Sequence, residues 1–237
     1  MPEKLLTQLV DKLRKAYDDR LVSVVLYGSA AAGDHHPRFS DLNILCLLTR
    51  VTPAELAAAE SLFLWWRETG SPAPLLLTPH ELASSTDCFA IEFHDIRASH
   101  RILYGSDLVS TLAIDDSFHR AQVEHDLRAK LLRLRQKAGG LLSNPDLLRR
   151  LLLASLSTFC VLFRHALLLH GVAAPTRKRE ILALSRETFA IDPAPFELLL
   201  DVREGRRKPR DLNPGDLLAP YLAAITQVID AVDILVK

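Results

Sequence analysis

The chain has 237 residues, with 29 Lys+Arg matched by 29 Asp+Glu, 49% hydrophobic and 24% charged residues. That length holds one large domain or two small ones, and that composition rules out wholesale disorder. Zero net charge implies no general polyanion-binding surface and leaves only local basic patches open. Cys46, Cys88 and Cys160 are far apart and odd in number, so they form no disulfide framework; Cys46 and Cys160 sit in apolar runs as small core residues. The stretch from Met1 to Tyr17 has an amphipathic helix pattern rather than that of a signal segment. The longest apolar run, Leu151 to Phe163, is too short for a bilayer. The expectation is a soluble cytoplasmic protein with no membrane partner.

In chain order, Leu6, Val10, Leu13 and Tyr17 repeat at helical spacing and predict an opening helix. Leu21 to Tyr27 predicts a buried strand that stops at a sharp turn, Gly28. Ser29 to Gly33 predicts a helical turn, Asp34 to Ser40 a polar loop, and Asp41 to Leu48 a second strand. Thr52-Pro53 starts a helix that Leu56 to Trp66 continues. Pro74 to Leu77 reads as a short strand, His80 to Ser85 as a short helix and Phe89 to Ile96 as a further strand. A last short strand or helix around Ile102 to Tyr104 closes at Gly105. After about residue 115 the strand signals cease. Val123, Leu127, Leu131 and Leu134 mark one helix; Asn144-Pro145, Asp192-Pro193 and Asn213-Pro214 start three more. In the last, Leu218, Leu222, Ile225, Ile229, Val232 and Val236 form an apolar stripe that suits a bundle core and leaves a homodimer seam open. The expected fold class is α+β: a small mixed sheet with flanking helices over residues 1–112, then an all-helical bundle over 113–237.

The chemistry concentrates between Leu26 and Leu48. A glycine directly after a buried strand lets backbone N–H groups approach an anion, and the Ser29 hydroxyl adds a donor. Further on, strand alternation sets Asp41 and Asn43 on one face and Leu42 and Ile44 on the other. Two oxygen-bearing side chains beside a phosphate-cradling turn suit a hard divalent cation bound together with a nucleoside triphosphate. On the expected strand Phe89 to Ile96, Glu92 is the better candidate for a third acid, with Asp95 behind it.

Gly28, Ser29 and Asp41, after the apolar strand, resemble the motif of the DNA polymerase β-like nucleotidyltransferase superfamily: Gly-Ser, a spacer, Asp-x-Asp, then a third acid on a later strand. The resemblance implies Mg²⁺ (or Mn²⁺) held by Asp41, Asn43 and Glu92, with Asp41 and Glu92 catalytic. It also implies phosphate on Gly28 and Ser29, an NTP substrate, and a hydroxyl acceptor on a small molecule or protein. The chain departs from the motif at Asn43, where the second aspartate belongs. An amide oxygen brings no charge, which favours a non-catalytic relative that binds nucleotide or a partner protein as the alternative.

Several features have plainer readings. His35-His36 reads as a solvated loop pair, Trp65-Trp66 as a seal between sheet and helix, and Arg206, Arg207, Lys208 and Arg210 as a solvated loop. Arg164 and His170 resemble the Arg-spacer-His motif of HEPN-type helical ribonucleases, a third functional alternative. A cationic side chain near a helix C-terminus is favoured by the dipole in any case.

Overall fold

The computed structural model describes residues 2–32 and 41–235. Contacts divide the chain into two compact units, Met1–Ser117 and Phe118–Lys237.

In the first unit, α1 (Pro2–Tyr17) buries Leu6, Leu9, Leu13 and Tyr17, so Leu9 takes the place expected of Val10. The sheet is built from β1 (Leu21–Tyr27), β2 (Asn43–Leu48), β3 (Leu75–Leu77) and β4 (His100–Gly105), in the order β3-β2-β1-β4. β1 runs antiparallel to β2 and to β4, while β2 and β3 are parallel, so the sheet is mixed. Among the described residues, four further helices flank it: α2 (Pro53–Ala58), α3 (Glu60–Glu68), α4 (Pro79–Ser84) and α5 (Ala90–Ala98).

Both sheet faces are covered, which explains why β1 and β2 read as nearly continuous apolar runs, Ser23 excepted, rather than alternating ones. Val24, Leu26, Ile44, Cys46 and Leu48 pack with α1 and with Leu62 and Trp66 of α3. Val25, Leu45 and Leu47 pack on the other face with Leu82 of α4 and Phe93 and Ile96 of α5. Trp66 is fully buried and donates from Nε1 to the Pro72 carbonyl at 2.8 Å, the seal expected of the tryptophan pair. Gly105 closes β4 with φ +77°, and a Cβ there would lie 2.0 Å from the Val22 carbonyl oxygen, so only glycine lets β4 lie this close to β1.

Two sequence expectations fail here. The stretch Phe89 to Ile96 is helix α5, not a strand. Ile91 and Phe93 suggested a period of two, but Ala90, Phe93 and Ile96 recur every three residues and are the ones that set the buried side. The single helix expected from Thr52 to Trp66 is two, parted at Ala59, where φ −109° and ψ 7° leave helical geometry and the methyl is fully buried.

The start of α2 holds the most constrained carboxylate of this unit. Glu55 is fully buried and accepts from the Thr52 hydroxyl and backbone N–H, closing a capping box. It also accepts from Arg20 at 2.7 Å and Arg50 at 3.1 Å. The Thr52 hydroxyl first, then the two guanidiniums, bring its pKa from 4.5 down to about 2. A carboxyl depressed in the folded state stabilises fully above its unfolded pKa and loses that contribution as pH falls through the folded value. Stability is therefore expected to decline between pH 4.5 and about 2. In acid-unfolding curves Glu55→Gln should start less stable and flatten that part of the decline.

In the second unit, five helices are α6 (His119–Gly139), α7 (Pro145–Leu169), α8 (Lys178–Phe189), α9 (Ala194–Arg203) and α10 (Pro214–Asp233). The expected Asn-Pro starts hold: Asn144 Oδ1 accepts from Leu147 N at 3.1 Å, and Asn213 Oδ1 from Gly215 N at 3.2 Å. Sequence reasoning missed α8, which has no side-chain cap at its start and ends on Ala190 at φ 55° instead of on a glycine. α7 runs from the Asn144-Pro145 start almost to Gly171, well beyond the apolar run Leu151 to Phe163 on both sides. By length and composition it could cross a membrane, yet 56% of its most apolar window is buried inside the protein, as in a bundle core helix. On α10, Ile225, Ile229 and Val232 are buried against the bundle while Leu218 and Leu222 lie at its margin; Val236 falls outside the described residues.

Candidate functional site

The site is set by the corner where β1 ends. Tyr27 pairs with Asn43 at the start of β2 and with His100 at the start of β4, so three strands converge there. The chain leaves β1 through Gly28 at φ +77° into a short 3-10 turn, Gly28–Ala30. That backbone conformation is costly for a side chain with a Cβ and cheap for glycine. Neighbours hold the turn on both sides. Gly28 N–H donates to the Ser99 carbonyl at 3.0 Å, and the Ser99 hydroxyl donates back to the Gly28 carbonyl at 3.2 Å. That carbonyl also accepts from Ala31 N at 3.0 Å and Ala32 N at 3.1 Å. Ser99 carried no sequence signal; it lies just ahead of β4 and its role exists only through the β1–β4 pairing.

Asn43 stands directly against this turn: a methyl added to Gly28 would come within 3.2 Å of Asn43 Nδ2. The amide nitrogen therefore faces the glycine. Leu42 and Ile44 are buried, Asn43 is half-buried and Asp41 exposed, but β2 begins at Asn43, so Asp41 and Leu42 lie ahead of the strand expected to include them. Register places Asn43 on the sheet face of Leu45 and Leu47, which is the face α5 covers. Glu92 comes to this face from the first turn of α5 and is exposed. The Tyr27 hydroxyl pKa is raised first by burial and then by the negative charge of Glu92. Asp95, one helical turn along, is half-buried.

So Gly28 and Asn43 meet, and Glu92 lies on a helix rather than a strand. Asp41 sits two residues ahead of Asn43, on the exposed approach to β2. Asp34, His35, His36 and the rest of 33–40 lie outside the described residues.

The donor set suits a hard cation in kind but not fully in charge. Asp41 and Glu92 would supply carboxylates, whereas Asn43 would supply a neutral amide, whose nitrogen is the atom nearest the glycine. Two carboxylates and an amide match one divalent ion better than two.

In the second unit, Arg164 is buried within α7, and His170 caps that helix with Nδ1 2.9 Å from the Ala166 carbonyl oxygen and its ring 5.0 Å from Phe189. His170 is held as a helix end. Arg206 pairs with Glu204 at 3.1 Å in an exposed segment.

No protein-family model matches the chain, and no curated protein matches it in sequence. Among solved structures, it is similar to a spectinomycin adenyltransferase from Enterococcus faecialis, determined with ATP and spectinomycin. The TM-score is 0.55 and the identity 13%, over 97% of this chain and 99% of that one. At that identity the likeness shows the fold alone: the chain has a mixed α+β nucleotidyltransferase-type fold with a helical C-terminal region.

Proposed function

We propose that the chain binds a nucleoside triphosphate at the Gly28–Asn43 corner and transfers its NMP to a hydroxyl of a small molecule or protein. The carrying observation is that corner: a left-handed glycine against Asn43, in a fold shared with an adenyltransferase solved with ATP and a small-molecule acceptor. In the reaction the acceptor oxygen bonds the α-phosphorus, the bond to the β-phosphoryl oxygen breaks, and pyrophosphate and a proton leave. Gly28, whose own N–H is taken by the Ser99 carbonyl, would shape the turn so that the Ser29 hydroxyl and backbone N–H hold phosphate oxygens. Asp41 and Glu92, with the amide oxygen of Asn43, would hold Mg²⁺ or Mn²⁺. A bound divalent ion supplies charge neutralisation on the triphosphate. Asn43 itself contributes an N–H donor on the glycine side of the turn.

A second reading has one observation in its favour. With Asn43 in place of a carboxylate, the same corner serves a relative that binds nucleotide without turning it over.

A thermal-shift series with the four NTPs, each with Mg²⁺ or Mn²⁺, tests binding. Ligand at a hundred times its dissociation constant adds about 2.7 kcal/mol, which for a chain of this size raises the midpoint by roughly 5–10 °C. A flat response to all four would overturn both readings.

A further inference from the structure

The zero net charge of the chain conceals a split between its units. Residues 1–117 carry 10 Lys+Arg against 16 Asp+Glu, and residues 118–237 carry 19 against 13, so one is net −6 and the other net +6. Such asymmetry between halves points to a polyanionic partner for the basic one. The excess gathers in one place. From Leu127 to Pro145 there are five cations and no acid, spanning the C-terminal half of α6 and the turn into α7.

The geometry of α6 sorts these residues. Leu127, Leu131, Leu134 and Ala138 face the bundle core. At 100° per residue the opposite face centres near Leu132 and Gln136, with Arg128 and Arg135 along one flank and Arg133 and Lys137 along the other. Lys130, Arg133, Arg135 and Lys137 are exposed, and none forms an ion pair among the described residues. Leu132 is 59% exposed amid these cations, Leu142 in the turn 63%, and Leu147 at the start of α7 42%.

We propose that this end of the α6–α7 hairpin docks the second unit on an anionic lipid surface. Cations flanking exposed leucines are what such a surface takes: headgroups pair with the Lys and Arg side chains while the leucines enter the acyl boundary. Single-stranded RNA is less well served, because no Phe, Tyr or Trp occurs between His119 and Thr158 to stack a base. This reverses the expectation of a chain without a membrane partner and makes the docking peripheral, since α7 is mostly inside the bundle.

The test is co-sedimentation of the full chain with phosphatidylcholine vesicles, alone or with about a third phosphatidylserine. Binding is expected only with phosphatidylserine and should weaken as salt rises. Arg133→Gln with Lys137→Gln should lower the partition coefficient about 25-fold, near fivefold for each cation removed. Leu142→Ser should lower it by up to tenfold through lost apolar burial. All three positions are exposed, and an unchanged unfolding midpoint would show that the variants fold. Equal binding to both vesicle types, or none to either, would overturn the proposal. So would charge-dependent binding that Leu142→Ser leaves untouched and that an oligoribonucleotide competes away, which marks a nucleic-acid surface instead.

Discussion

Gly28→Val should erase the nucleotide-dependent rise in unfolding midpoint altogether, a loss of roughly 5–10 °C relative to the parent at saturating ligand. Two physical effects act together. At φ +77° a β-branched residue is strained by at least 1–2 kcal/mol. Its Cβ would also press on Asn43 Nδ2 at 3.2 Å, so the amide must move. The turn that presents N–H groups to phosphate would then lose both its shape and its neighbour. The rest of the unit should remain folded, because Gly28 is only half-buried and the two clusters on the sheet faces do not include it. Gly28→Ala separates the terms: it keeps the strain and most of the contact but adds less bulk, so a partial nucleotide response is expected. A full response in a folded Gly28→Val protein would mean that nucleotide binds elsewhere.

Asn43→Asp should raise transfer of label from α-labelled NTP by about a hundredfold or more, since metal charge stabilisation is worth several kcal/mol in such chemistry. The change is nearly isosteric and sits at a half-buried strand start, so packing should hardly register it. Without metal, a new carboxylate near Asp41 and Glu92 adds like-charge repulsion and should slightly destabilise the protein. With Mg²⁺ or Mn²⁺ the order should reverse, giving a crossover in unfolding midpoint between the two proteins. One structural detail sharpens this: the Asn43 amide nitrogen faces Gly28, and a carboxylate has no N–H to offer there. If Asn43 works as a phosphate donor rather than as a lost ligand, Asn43→Asp will weaken nucleotide binding in the absence of metal. Equal transfer and equal metal affinity in both proteins would make Asn43 a working ligand and remove the second reading.

Much of this corner was legible in the sequence because its signals are local. A β-branched run stopped by glycine, and Asn43 alternating with buried Leu42 and Ile44, need only strand geometry. Glu92 illustrates what was not legible. The sequence reads as placing it on the outward face of a strand, whereas it lies in the first turn of helix α5. Short apolar stretches fit periods of two and of three equally well, and only packing against β1 and β2 decided between them. Ser99 was invisible because nothing local marks it. α8 escaped because both of its ends lack the usual punctuation, no capping side chain before it and Ala190 in the left-handed position after it. The charge split between the units was in the sequence throughout but cancels in the total.

The Gly28–Asn43 corner is proposed to take nucleoside triphosphate with the help of Asp41. Titrating ATP with Mg²⁺ into the full chain and into Asp41→Asn tests it most directly. Asp41 is exposed and lies outside the strands, so the substitution should leave the fold intact. The account predicts saturable binding in the parent and at least a tenfold loss in the variant, about 1.4 kcal/mol or more. Saturable binding of equal strength in both proteins would contradict it, as would no binding to either.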